Sequence, residues 1–188
     1  MWLAIDSVKN KESDIIISAG NTGALFIIAK LNLKMSENID KPALSGLWPN
    51  KNGTNIVLDL GANVECNEKN LIDFSLMGSA LFKALFPDQN PKVALLNIGS
   101  EEIKGNEIIK NTYQKISQTN NLNYEFKGFI EGNNIMNGGI SFFVPANKLS
   151  LTSWPLIKSI ALERKIHDKS KCVKVLETIF FPCNFDIV

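Results

Sequence analysis

An α/β fold with a mostly parallel, doubly wound sheet is what this sequence predicts, and three observations predict it. Runs such as Ile15–Ile17, Asn55–Leu60 and Val93–Ile98 are apolar almost throughout, as strands covered on both faces are. Each run passes into a polar turn that contains glycine and asparagine. Each turn then leads into an apolar segment of helical period. Strands alternating with helices at this spacing build parallel units with right-handed crossovers.

The elements follow in order. Residues 1–12 read as the tail of a helix, with Trp2, Ile5 and Val8 on one face and Lys9 and Lys11 at its C-terminal end. Asp14–Ser18 is the first expected strand. The turn Ala19-Gly20-Asn21-Thr22-Gly23 comes next: Gly20 and Gly23 permit positive φ and close backbone approach, and Asn21 or Thr22 can cap the helix that runs on toward Met35. Pro42 and Pro49 bracket Ala43–Trp48, a strand or a lining loop. After Asn52-Gly53 comes the strand Asn55–Leu60, the turn Gly61-Ala62-Asn63, and a helix from about Asn70 to Phe86 with Leu71, Phe74, Leu76, Met77, Ala80, Leu81 and Leu85 as its apolar set. The third unit is the strand Pro91–Ile98, the turn Gly99–Gly105, and a helix from about Asn106 to Gln118. A shorter strand, Tyr124–Phe129, enters the turn Glu131-Gly132-Asn133-Asn134.

Composition narrows the function. The chain has 188 residues, 45% of them hydrophobic and 21% charged, which suits one soluble domain or part of a larger one. A net charge of +1 gives no field for nucleic acid or an anionic membrane. No apolar run approaches the roughly 20 residues that cross a bilayer, and Met1–Asp6 does not resemble a signal peptide. Cys66, Cys172, Cys183 and the lone His167 form neither a zinc nor a disulfide pattern. A cytoplasmic protein with reduced thiols is expected.

In open α/β sheets ligands bind outside the C-terminal ends of the strands, so the four glycine-bearing turns are expected to converge on one cleft. Their inventory is asparagines, glycines, a threonine, carboxylates and one lysine. Serine or cysteine triads, a Gly-Lys-Ser/Thr phosphate loop and histidine zinc sites are missing from it. Neutral amides, backbone N–H groups and a lysine suit binding of phosphate and stabilisation of a developing oxyanion. Lys104 stands between Glu101-Glu102 and Gly105, just before a helix. Two readings stay open: an ammonium held over an anion, or a solvated lysine paired with a glutamate. Asp59 and Glu65 flank the second turn; Asp59, inside an apolar run, reads as a backbone cap rather than a base. Cys66 has no basic neighbour to activate it and reads as structural.

Seven segments in order carry a resemblance. Ser18–Ala24, Pro42–Leu44, Leu58–Asn63, Phe74–Gly78, Leu95–Glu102, Lys104–Glu107 and Glu131-Gly132 closely resemble the bacterial phosphate acyltransferase family (PlsX) over residues 1–139, with wording most similar to alphaproteobacterial members. The resemblance implies a fold akin to isocitrate and isopropylmalate dehydrogenases and to phosphate acetyltransferase. It implies a cytoplasmic, often membrane-associated homodimer that makes acyl phosphate from acyl–acyl-carrier protein and inorganic phosphate and passes it to a membrane acyltransferase for phospholipid synthesis. Neither metal, cofactor nor nucleic acid is implied. Carried over by position, Lys104 matches the lysine that works at the thioester and phosphate. Gly20, Asn21, Thr22 and Gly23 match the first cleft turn and Asn63 the second; Glu101, Glu102 and Gly132 complete the substrate- and phosphate-binding set.

This sequence also departs from the family. Lys41 stands where arginine usually precedes the Pro-Ala pair, and Asn134 where an aspartate commonly follows Glu-Gly. The family's opening strand and its final Asp-Gly-Phe-x-Gly-Asn turn have no counterpart here. Residues 140–188 read as a divergent tail, basic around Arg164, Lys165, Lys169 and Lys171 and apolar at Ile179–Phe185: the product of a frame change, or a membrane-touching appendage. The expectation is an internal fragment of a phosphate acyltransferase. The alternatives are a non-catalytic remnant that binds acyl-carrier protein, a coenzyme A-dependent phosphate acetyltransferase, and an oxidoreductase of the dehydrogenase fold, whose carboxylate cluster and Gly-x-Gly-x-x-Gly loop are not found.

Overall fold

The computed structural model describes residues 1–101 and 104–145 and the backbone of 179–180. These form two compact units, one containing Met1–Pro42 and the other starting at Ala43.

In the first unit α1 (Trp2–Lys9) packs on α2 (Thr22–Asn32). Ile5 and Ala29 are buried, and a polar bridge joins the helices: Asn32 accepts from Lys9 Nζ at 3.0 Å and donates to Asp6 at 3.1 Å. The expected strand Asp14–Ser18 is not one. The segment is irregular, with Ile15 75% and Ile17 93% exposed. A β-branched run favours extended backbone, but a strand exists only where a neighbour supplies a hydrogen-bond ladder, and no ladder forms here among the described residues.

The second unit is a mostly parallel α/β sheet. Its strands are β1 (Leu44–Asn50), β2 (Gly53–Leu58), β3 (Lys92–Leu96), β4 (Glu125–Ile130) and β5 (Phe142–Pro145), in the order β4-β3-β5-β2-β1. β1 and β2 form an antiparallel hairpin with Asn50 opposite Gly53, whereas β2, β5, β3 and β4 run parallel. The segment before Pro49, strand or loop by sequence, is therefore a strand. Asn50 Oδ1 accepts from Asn52 N at 2.7 Å and shapes the hairpin turn.

Residues 142–145, beyond the core boundary drawn at 139, lie in the middle of this sheet. Phe142, Phe143 and Val144 are almost completely buried, with Val93 opposite Phe142 and Leu95 opposite Val144. Apart from the backbone of 179–180, the rest of the tail, with its basic cluster, Cys172, Cys183 and His167, falls outside the described residues.

Strand alternation sorts the core. Val57, Ala94, Leu96, Ile130, Phe143, Ile135 and Ile140 pack together, with Trp48 and Leu60 against them. Two helices, α3 (Glu68–Leu85) and α4 (Glu107–Gln118), pack on each other and on the sheet. Asn67 caps α3 in a reciprocal capping box with Asn70, and Asn106 caps α4 by accepting from Ile109 N at 2.9 Å. Glu68 ties the pair, accepting from Asn111 at 2.8 Å and meeting Lys115. The lysine's hydrogen bond, then that of Asn111, holds the Glu68 carboxyl below its usual range.

The buried stripe of α3 differs from the expected apolar set. Leu71, Phe74, Leu81 and Phe82 are buried beside Ser75, Gly78 and Ser79, while Leu76 and Leu85 face outward. Small residues occupy the face that meets the sheet because the helix sits close: a Cβ on Gly78 would lie 2.5 Å from Phe142 Cε2. Among the described residues, no helix is long and apolar enough to cross a membrane.

Candidate functional site

Three of the four turns leave the C-terminal ends of parallel strands in the second unit, at one edge of the sheet. The turn after β2 is built on Asp59. This buried carboxylate accepts from Leu44 N at 2.9 Å, Ala62 N at 3.1 Å, Asn63 N at 2.8 Å and Asn63 Nδ2 at 2.9 Å. A carboxylate that receives four N–H groups is a cap, as its place in the sequence suggested. Gly61, at φ +86°, completes the turn. Asn63 thus stands in this turn with an N–H of its amide bound to Asp59.

The turn after β3 carries Lys104. Its Nζ lies 2.7 Å from Glu101 Oε2, so the glutamate pair of the plain reading is present. That carboxylate raises the Lys104 ammonium above the usual lysine range, by hydrogen bond first and by charge second, with Glu131 acting in the same direction. The side chain lies back over Gly99, where a Cβ would overlap it. Glu102 falls outside the described residues. A lysine held protonated is poorly suited to act as a base or nucleophile and well suited to neutralise an anion.

The turn after β4 is continuous with this one. Asn97 N donates to Ile130 O at 2.9 Å, and Ser100 N donates to Glu131 Oε1 at 3.1 Å. Gly132 opens a 3-10 helix, Gly132–Asn137, and is exposed with open space where a Cβ would point. The structure therefore brings together Lys104, Glu101 and Gly132. β5 separates β2 from β3, which puts the Asn63 turn roughly 10 Å along the same edge at ordinary strand spacing.

The first turn belongs to the other unit. Asn21 is the N-cap of α2, accepting from Ala24 N at 2.9 Å, and Thr22 is the first helical residue. Neither Gly20 nor Gly23 has positive φ, contrary to the conformational reading. A Cβ on Gly20 would meet only the flexible end of Met1, at 2.9 Å, and one on Gly23 would lie 3.3 Å from the capping Asn21 Oδ1. Gly20, Asn21, Thr22 and Gly23 leave the first-turn backbone of α2 exposed, an arrangement that suits an anion.

Two residues outside the sequence-derived set hold the Lys104 turn, Asn97 and Glu131. The signal for Asn97 was a single amide closing an otherwise aliphatic run before a glycine; for Glu131 it was the carboxylate before Gly132.

The chain was compared with known proteins. The profile of the family described as "Fatty acid synthesis protein" matches residues 1–145. The phosphate acyltransferase of Pelagibacter ubique is 72% identical over 144 residues, covering 77% of this chain and 43% of that protein. The phosphate acyltransferase of Maricaulis maris is 47% identical over 144 residues, covering 77% and 41%. The chain thus spans about two fifths of the length of these curated relatives. Among solved structures, a phosphotransacetylase from Streptococcus pyogenes superposes with a TM-score of 0.66 at 15% identity, covering 86% of this chain and 55% of that one. A branched-chain phosphotransacylase from Enterococcus faecalis gives 0.60 at 14%, covering 86% and 63%. At such identities the likeness is one of fold.

Proposed function

Because the chain belongs to the phosphate acyltransferase family, we propose that it takes part in transfer of an acyl group from a carrier-bound thioester to inorganic phosphate. The carrying observation is Lys104, an ammonium paired with Glu101 at the C-terminal edge of the parallel strands. A phosphate oxygen attacks the thioester carbonyl carbon, and the carbonyl oxygen becomes an oxyanion. Collapse breaks the C–S bond, giving acyl phosphate and a thiolate that takes up a proton. Such a reaction needs positioning and charge neutralisation more than a protein nucleophile. Lys104 supplies the positive charge and the asparagine- and glycine-bearing turns supply neutral donors. Glu101 must yield part of its hold on the ammonium when the anion binds.

The fuller reading has acyl-carrier protein as donor, a cytoplasmic homodimer as the working form, and a membrane acyltransferase as recipient of the product. The family membership supports it. Coenzyme A is the second donor to test, since the solved structures of like fold are named phosphotransacetylases and phosphotransacylases.

The test is loss of thioester from long-chain acyl–acyl-carrier protein and from acyl-coenzyme A, with and without phosphate, and trapping of the product by hydroxylamine. Phosphate-dependent loss with a trappable product is expected from the carrier protein. Lys104→Ala should lower turnover about a hundredfold or more with little change in melting temperature, because its side chain is half exposed. Undiminished turnover in that variant rules Lys104 out of the chemistry.

A further inference from the structure

Asn97 follows β3 directly and is buried at 7% exposure. Its Oδ1 accepts from Ile98 N at 2.9 Å, at the start of the Lys104 turn, and its Nδ2 donates to Lys104 O at 3.0 Å, near the end. The two backbone partners fix which way the amide faces, since an N–H must meet the oxygen and a carbonyl must meet the N–H₂. Gly105, at φ +96°, is shaped to this contact: a Cβ there would lie 2.6 Å from Asn97 Oδ1. From the neighbouring strand, Ile130 O accepts the Asn97 N–H, and Glu131 Oε1 accepts from Ser100 N.

We propose that Asn97 is the positioning residue of this site: one buried carboxamide joins both ends of the turn and thereby sets where Lys104 presents its ammonium. The inference rests on reading Lys104 as the residue that meets phosphate. The geometry requires a donor and an acceptor on one planar group. An ionised carboxylate has the shape but no donor, so it would set an oxygen against the Lys104 carbonyl. A protonated carboxyl restores both bonds. Among the described residues, the charged groups of the turn and of the segment bonded to it are Glu101, Lys104 and Glu131 from the end of β4. The unaltered chain carries the same three and is the control across pH.

The experiment compares Asn97→Asp with the unaltered chain by hydrogen exchange of the amides in the Lys104 turn, at about pH 5.5 and about pH 8. Burial holds a carboxyl at this position protonated to higher pH than in water. Protection in the variant should be about tenfold lower at the higher pH, the scale of one lost hydrogen bond, and should recover at the lower pH. Turnover should follow it, and KM for phosphate should rise at the higher pH and recover at the lower. Equal protection at both pH values, or a loss that acid does not restore, overturns the proposal. If Asn97→Asp does not fold, Gly105→Ala takes its place: its Cβ displaces the amide and should lower both protection and kcat, and parental values would count against the proposal. Lys104→Ala separates the two readings. It should retain protection and lose turnover; retained turnover would sink the reading of Lys104 and leave the clamp standing.

Discussion

Tyr124 shows at the residue scale how burial alone sets a side chain's chemistry. It is 5% exposed, and its hydroxyl makes no hydrogen bond among the described residues. Burial pushes its pKa up to about 12; Ser75 pulls the other way, but its hydroxyl donates to Leu71 O at 2.9 Å and leaves the phenol without a well-formed hydrogen bond. The sign follows from which state ionises first. Below about pH 10 both folded and unfolded chains keep the proton; between about 10 and 12 only the unfolded chain releases it, so stability falls as pH rises. Tyr124→Phe removes the buried unpaired hydroxyl and should raise stability by about 1 kcal/mol at neutral pH. The gap between variant and parent should widen toward pH 11, as urea midpoints would record. A constant gap would mean that the hydroxyl reaches water or a partner. Nothing in the sequence marks Tyr124 as unusual, whereas Asp59 was legible as a cap because a carboxylate inside an aliphatic run needs donors, and the chain offers them in the next turn.

At the element scale, the contact of α3 with β5 decides how close helix and sheet come. Two effects oppose each other in Gly78→Ala. Helix propensity favours alanine by roughly 0.5–1 kcal/mol. Against it, the new Cβ would lie 2.5–2.7 Å from two ring carbons of Phe142, and overpacking of this kind costs about 1–3 kcal/mol. The overlap wins, so a lower urea midpoint is expected, partly relieved when Phe142→Leu is added. A midpoint at or above the parent's would show that the sheet gives way easily. The period of α3 was readable, but which residues it buries was not. Leu76 and Leu85 fit the same apolar pattern and face outward, because the sheet lies against the Phe74, Gly78, Leu81 side. At Asp14–Ser18 the local preference was clear and the element still failed to form, since strands are made by their neighbours.

For the whole molecule, the sheet order predicts where stability resides. β3 and β5 are bonded on both sides, to β4, to each other and to β2. Native-state hydrogen exchange should find the slowest amides in Val93–Leu96 and Phe142–Val144, and near-random exchange at Ile15–Ile17, where no ladder forms among the described residues. Fast exchange in β5 would show that the sheet opens at its centre. From sequence alone the α/β class was legible, with the run of strands, turns and helices from Asn55 to Gln118 and the place of Lys104 in the turn after the strand at 92–96. Those depend on periodicity and on residue types within a few positions of one another. Long-range contacts decided the rest: residues 142–145 lie between β2 and β3, Asp14–Ser18 finds no strand partner among the described residues, and Asn97 and Glu131 hold the Lys104 turn. Each of these is a contact between distant parts of the chain, and which strand or side chain receives a hydrogen bond is settled by the neighbour the fold places there.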